Sequence, residues 1–256
     1  MAVSATPPVE LRRLRQAPYA ETWEWQRQRA AAVAAGAAPE VLLLVEHPPV
    51  YTLGRRADPA HLLQPEAALR AAGAEVHWID RGGDVTWHGP GQLVGYPILD
   101  LSRRGRDLHA YVATLEDVLI DVAGAYGVQA TRRPGMTGVW AGHEKLAAIG
   151  IKVARGWVSY HGFALNVDPD LRWFERIVPC GLHGCGVTSL ARLLGSAPEM
   201  DEVAERVACA FERRFGVTLA AAEPRSVASL TQAYEMHHRI GVTLAAAEPR
   251  SVASGD

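Results

Sequence analysis

Apolar residues recur along this chain in two patterns. In the first they return every three or four positions, as on one face of a helix. Leu108, Val112, Leu115, Leu119 and Val122 set the clearest case and predict a helix over 108–126, with Gly127 as its stop. Val203, Val207 and Phe211 predict another over 200–215. Residues 18–35 carry Trp23 and Trp25 among Glu, Gln and Arg before an alanine-rich end, and also read as helix. Residues 65–72, closed by Gly73, read as a short one, and Thr188 is a candidate cap for a turn of helix through Leu194.

In the second pattern the apolar runs are short. Residues 41–45 are apolar without a break, which predicts a buried strand. His47-Pro48-Pro49 interrupts, and a strand resumes over 50–53. Strands are predicted at 75–80, 84–88 and 92–101, divided by Arg81-Gly82-Gly83 and Gly89-Pro90-Gly91 turns. From 128 to 167 the chain turns β-rich, with strands at 138–141, 146–153, 157–160 and 163–167. Strands and helices do not alternate one for one. The class expected is therefore α+β, a mixed, largely antiparallel sheet flanked by helices, and not a doubly wound parallel sheet.

Composition narrows the function. With 256 residues, 48% hydrophobic and 21% charged, the chain suits one large domain that buries a core without staples. The expected division is a loose lead-in over 1–17, one main domain over 18–229 and a tail over 230–256. The stretch GVTLAAAEPRSVAS at 216–229 returns letter for letter at 241–254. Two copies do not make a solenoid, so the tail is expected to pack poorly. A net charge of −2 gives no overall basic field for nucleic acid. No apolar run approaches the ~18 residues of a membrane span. The N-terminal residues lack the basic and apolar parts of a secretory signal. Three cysteines, Cys180, Cys185 and Cys209, fit a reducing compartment. A cytoplasmic protein is expected.

Several residues could carry chemistry. Cys180 lies between Pro179, which fixes the backbone, and Gly181, which leaves room for another group. It reads as a nucleophile or as a buried structural thiol. A nucleophilic thiol needs a nearby cation to favour its thiolate, and the chain has only two lysines, Lys145 and Lys152. The segment 81–91 holds four glycines and a proline around a short strand. It reads as a plain hairpin, or as a site where a substrate lies on the backbone with Arg81, Thr86 and His88 as polar contacts. It matches neither a dinucleotide fingerprint nor a phosphate loop. Cys180-x-x-His183-x-Cys185 offers three soft ligands but lacks the fourth of a closed zinc site, and His237-His238 is a weaker signal still. No metal and no cofactor is expected. His161 reads as a core histidine or a ligand contact. Trp87, Trp140, Trp157 and Phe163 read as core aromatics or as the walls of an apolar tunnel.

At these residues the sequence resembles a known family. RGGDVTWHGPGQLVGYPILDL (81–101), EKLAAIGIKV (144–153), HGFALNV (161–167) and VPCGL with GVTSL (178–190) are similar, in this order, to the lipoyl(octanoyl) transferases. The resemblance runs from about residue 10 to about 215. It implies a fold like the catalytic domains of biotin and lipoate protein ligases. It implies Cys180 as the acyl-thioester cysteine and Lys145 as the lysine that favours the thiolate and handles protons. It implies three substrate-binding segments: Arg81, Gly82, Gly83, Asp84, Val85, Thr86, Trp87 and His88; then Ala148, Ile149 and Gly150; then His161, Gly162 and Phe163.

The activity implied is transfer of an octanoyl group from octanoyl-acyl carrier protein, through a Cys180 thioester, to a lysine of a lipoyl domain. The acceptors implied are the lipoyl domains of 2-oxoacid dehydrogenases and the glycine cleavage H protein. A monomer is expected. Cys185 and the duplicated tail depart from the family pattern. Two other readings remain: an ATP-dependent lipoate or biotin ligase, which needs no nucleophilic cysteine, and a non-catalytic lipoyl- or acyl-binding protein.

Overall fold

The structure, a computed structural model, describes residues 8–178 and 186–222. In chain order the elements are β1 (Val9–Gln16), α1 (Tyr19–Ala34), β2 (Val41–Glu46), β3 (Val50–Leu53), α2 (Glu66–Ala71), β4 (Glu75–Trp78), β5 (Val85–His88) and β6 (Gln92–Ile98). There follow α3 (Leu108–Ala125), β7 (Thr131–Arg133), β8 (Met136–Ala141), β9 (Glu144–Val153) and β10 (Ser159–Asn166). The last are β11 (Gly186–Val187), α4 (Leu190–Leu194), α5 (Met200–Phe215) and β12 (Leu219–Ala221).

Among the described residues the main sheet runs β12-β1-β2-β6-β10-β9-β8-β7, with β11 paired to β9. Pairings from β2 through β6, β10, β9 and β8 to β7 are antiparallel, and β1 is parallel to β2 and β12. A second sheet holds β4-β3-β5. This is the expected α+β class with a mixed sheet.

The apolar run 41–45 is continuous because β2 is covered on both faces. Leu42 and Leu44 join the core beneath α3 and α5, while Val41, Leu43 and Val45 join the core beneath α1. The helices start where their caps dictate. Asp107 accepts from the His109 and Ala110 amides and opens α3. Gly216, at φ +63, closes α5.

Three expectations need correction. Residues 9–16 are not a loose lead-in, since β1 lies inside the main sheet between β2 and β12. Its arginines hid the alternation: Val9 and Leu11 face the α3–α5 core, while Arg12 pairs with Glu10 and Arg13 with Glu205. The two strands expected at 157–160 and 163–167 are one, β10, which passes through Gly162 without a break. The cap of α4 is Ser189, not Thr188; the Ser189 hydroxyl accepts from the Arg192 amide at 3.2 Å. The first copy of the duplicated stretch contributes β12, and residues 223–256 lie outside the described ones.

Gly162 marks the tightest approach of β10 to β6. A Cβ there would stand 2.0 Å from the Gly95 carbonyl oxygen and 2.7 Å from Pro97 Cδ. Backbone cannot yield as a flexible side chain can. Gly162→Ala is expected to destabilise the fold by about 3 kcal/mol, read as a lower urea midpoint at unchanged slope. An unchanged midpoint would show that the two strands separate without cost.

Candidate active site

A cavity of about 540 Å³ opens on the face where β5, β9 and β10 come together, a volume suited to a small-molecule site. Three separate stretches form its wall. The first is 81–88, apart from Trp87; the second is Ala148, Ile149 and Gly150 of β9; the third is His161, Gly162 and Phe163 of β10. Lys145 lines the cavity as well. The structure thus brings together the predicted binding residues with one exception. Trp87 points the other way, stacked on Trp173 at 5.8 Å and edge-on to Phe174 at 5.4 Å in the core of the small sheet. Strand alternation explains it, since Thr86 and His88 face the cavity and Trp87 between them cannot.

Arg81 acts locally as a clamp. Its Nη2 donates to the Thr52 carbonyl at 2.6 Å and to Thr52 Oγ1 at 3.0 Å, tying the segment to β3. The Gly82 amide donates to the Ile151 carbonyl of β9 at 2.9 Å. These bonds hold the glycine-rich turn flat against β9, so a ligand in the cavity meets backbone. Asp84 accepts from its neighbour's amide, Val85 N, at 2.8 Å and from His61 Nδ1 at 2.5 Å, so its carboxylate is turned toward the rim.

Lys145 sits near the start of β9, buried, with Nζ 4.8 Å from the centre of the Trp140 ring. Trp140 is fully buried, so it serves as core and as the floor under a cation. Trp157 does not line the cavity; it lies against Arg106.

His161 has φ +57, unusual for a residue with a side chain, and is almost wholly buried. Its amide donates to Gln26 Oε1 at 2.9 Å, and its Nε2 lies 3.0 Å from Asp80 Oδ1. Tyr160 donates to the other Asp80 oxygen. Burial alone would raise the Asp80 pKa, but the bonds from His161 and Tyr160 outweigh it and hold the carboxyl well below the usual range. Burial pushes the His161 pKa down despite Asp80, so a neutral ring donates to a carboxylate.

Sequence reasoning missed part of the wall. Tyr19 of α1, Tyr96 of β6 and His61 also line the cavity, and His47 lies behind them. Tyr96 sits inside the 81–101 motif but was not singled out there; Tyr19, His47 and His61 lie in no quoted motif, and only the sheet order brings them near. Burial lowers the pKa of His47 to about 4 and that of His88 to about 3, so both are neutral at ordinary pH. Cys180, Cys185 and His183 lie outside the described residues. Among the described residues no cluster of three or more His, Cys, Asp or Glu could hold a metal. No described helix is long and apolar enough to cross a membrane.

The fold and the cavity define a class: an α+β catalytic domain of the lipoate ligase kind. A lipoate-protein ligase A bound with ATP superposes with a TM-score of 0.67 at 13% identity, over 90% of this chain and 95% of that one. A T. acidophilum protein described as a lipoate protein ligase, with bound lipoic acid, gives 0.69 at 14% identity, over 91% and 96%. The chain belongs to the lipoyl protein ligase A/B catalytic-domain family, whose model matches residues 18–212. An octanoyltransferase of Gloeobacter violaceus is 56% identical over 201 residues, spanning 78% of this chain and 87% of that protein. One of Rubrobacter xylanophilus is 50% identical over 200 residues, spanning 78% and 90%. The chain is an enzyme, an acyltransferase.

Proposed function

We propose that this enzyme moves an octanoyl group from octanoyl-acyl carrier protein onto Cys180, and then onto the ε-amine of a lysine in a lipoyl domain. Acceptors on this reading are the lipoyl domains of 2-oxoacid dehydrogenases and the glycine cleavage H protein. The observation that carries it is Lys145 in the cavity wall beside the chain that flanks the Cys180 segment. On one side of that segment the Val178 amide donates to the carbonyl of His61, a residue of the cavity rim, at 2.8 Å. On the other side Gly186 and Val187 pair with Glu144 and Lys145.

The chemistry balances without ATP. The Lys145 ammonium stabilises the Cys180 thiolate, which attacks the thioester carbon. The carrier thiolate leaves and takes a proton from Lys145. A neutral lysine amine then attacks the acyl-cysteine, a C–N bond forms and the C–S bond breaks. Lys145, now neutral, takes the amine proton, and the Cys180 thiolate is restored. The amide is more stable than the thioester, which drives the second half.

The test is intact-protein mass spectrometry after mixing with octanoyl-carrier protein in the absence of ATP. An octanoyl adduct that maps to Cys180 and leaves when a lipoyl domain is added is the expected result. Absence of any adduct, or transfer only when ATP is supplied, would replace this reading with that of a ligase.

A further inference from the structure

The ring orientation of His88 in the cavity wall follows from a backbone group. The Thr188 carbonyl can only accept. Asn166 lies 2.9 Å from it, so the Asn166 nitrogen Nδ2 faces Thr188 and its oxygen Oδ1 faces the other way. Oδ1 in turn lies 2.9 Å from Gln92 and must accept from Gln92 Nε2. The same Nε2 is 3.4 Å from the Trp87 carbonyl, a second group that can only accept. The Gln92 oxygen Oε1 is then left for His88 Nδ1, at 2.7 Å. An amide oxygen accepts, so Nδ1 carries the hydrogen. All four residues, His88, Gln92, Asn166 and Thr188, are buried. No solvent competes for these bonds, and each fixes the next.

A neutral imidazole has one N–H. With Nδ1 as donor, Nε2 presents a lone pair, and no described residue donates to it. His88 forms part of the cavity wall, and its Nδ1 side is taken by Gln92. The ring itself is held between Tyr19, stacked at 6.0 Å, and His47, edge-on at 6.2 Å. The chain of bonds also ends at the catalytic lysine's own backbone, because the Thr188 amide donates to the Lys145 carbonyl at 3.0 Å. One network therefore registers both His88 and Lys145.

We infer that Gln92 and Asn166 are positioning residues that lock His88 as the Nδ1–H tautomer, so that Nε2 accepts a hydrogen bond from the amine attacking the acyl-cysteine. This rests on the function proposed above. The thioester carbonyl and the acyl chain have no N–H to offer. The attacking amine does, and it must arrive neutral with its own lone pair on the thioester carbon. One N–H on His88 Nε2 and another toward Lys145 would set that orientation. His88 keeps no proton in this role; the proton goes to Lys145.

The groups around His88 favour the neutral ring. Burial does most to keep it neutral and the Arg81 guanidinium adds to this, with Arg56 and Lys145 as further cations in the cavity wall; His47 and His161 are held neutral by burial, and Tyr19 and Tyr96 are buried phenols pushed above their usual range. Gln92→Glu puts a carboxylate on Nδ1 and favours the imidazolium, which has no lone pair at Nε2.

Two measurements test the inference. Nitrogen-15 NMR of the wild-type histidines should show His88 as the neutral Nδ1–H tautomer; the Nε2–H tautomer would overturn it and needs no variant to be seen. In single-turnover assays, Gln92→Glu should slow transfer to the lipoyl domain about tenfold per pH unit below a new titration point, and recover above it. Formation of the Cys180 adduct should keep its wild-type pH profile. A loss in transfer that is the same at every pH, or a shift shared by both halves, would mean a merely structural role. If the wild type itself forms no adduct, the proposed function has failed, and the NMR result still decides the tautomer.

Discussion

Cys180→Ser is expected to leave no acyl adduct after mixing with octanoyl-carrier protein, and to cut turnover by about a thousandfold or more. A serine hydroxyl is far less acidic than a thiol, so a neighbouring cation cannot make it an anion near neutral pH. Lys145→Ala is expected to cost about 10²–10⁴-fold, the usual size of a lost acid–base group. On the proposed mechanism the two act as a unit, so the double variant should be no slower than Cys180→Ser alone. Adduct formation, followed by peptide mapping, reads the first half; release to a lipoyl domain reads the second. Normal turnover of Cys180→Ser, or losses that simply multiply in the double variant, would dismantle the pairing. Lys145 owes its place to the sheet. It pairs with Trp140 on β8 and with Val187 on β11, and the β8 indole forms the floor beneath its ammonium.

Acidification is expected to unfold the protein well above the pH at which ordinary carboxylates titrate. The unfolded chain binds protons on His47 and His88 near pH 6.5, while the folded protein refuses them until about 4 and about 3. Both folded values are depressed, so the unfolded state holds more protons and stability rises with pH. The stabilisation is full above about 6.5 and is lost as pH falls toward 4. Each histidine contributes a slope of about 1.4 kcal/mol per pH unit, so the pair gives nearly 3 kcal/mol per unit between about pH 6 and 4. His161 is shifted in the same direction. Two units of this slope match the whole stability of many domains. Urea denaturation at several pH values would measure it. A flat profile from pH 7 to 5 would mean that these rings are protonated in the fold. Replacing His47 by a neutral isostere should lessen the slope by about one proton. In the wild type His47 donates or accepts at both ring nitrogens, to the Ala17 carbonyl and the Tyr96 hydroxyl, without a charged partner in contact.

Much of the fold was legible. The helices at 108–126 and 200–215 followed from a period near 3.6, and α3 and α5 occupy those ranges within a residue. The run at 41–45 declared a buried strand, and β2 has an apolar neighbour on each face. β1 was not legible, because arginines at 12, 13 and 15 make a strand look like a charged lead-in. Their stems and ion pairs with Glu10 and Glu205 cover surface that sequence alone assigns to solvent.

The candidate site was legible as three short segments and a lysine, and the sheet collects all of them but Trp87 on one cavity. Within the first segment the sequence did not separate Thr86 and His88 from Trp87. Alternation announces two faces, but only the packing of Trp173 and Phe174 shows which face is the small core.

The sequence by itself determined most of the element types, the α+β class and the groups available for acyl transfer. These depend on local spacing and on side-chain chemistry. Tertiary structure decided which groups meet and in what state. Gln92 and Asn166 lie 74 positions apart, yet their bond fixes the hydrogen on His88. His47 and His88 are neutral because burial disfavours their charged forms, and no local pattern encodes that burial. Proton positions and charge states are set by long-range contacts, so they appear only when the sheet has brought its strands together.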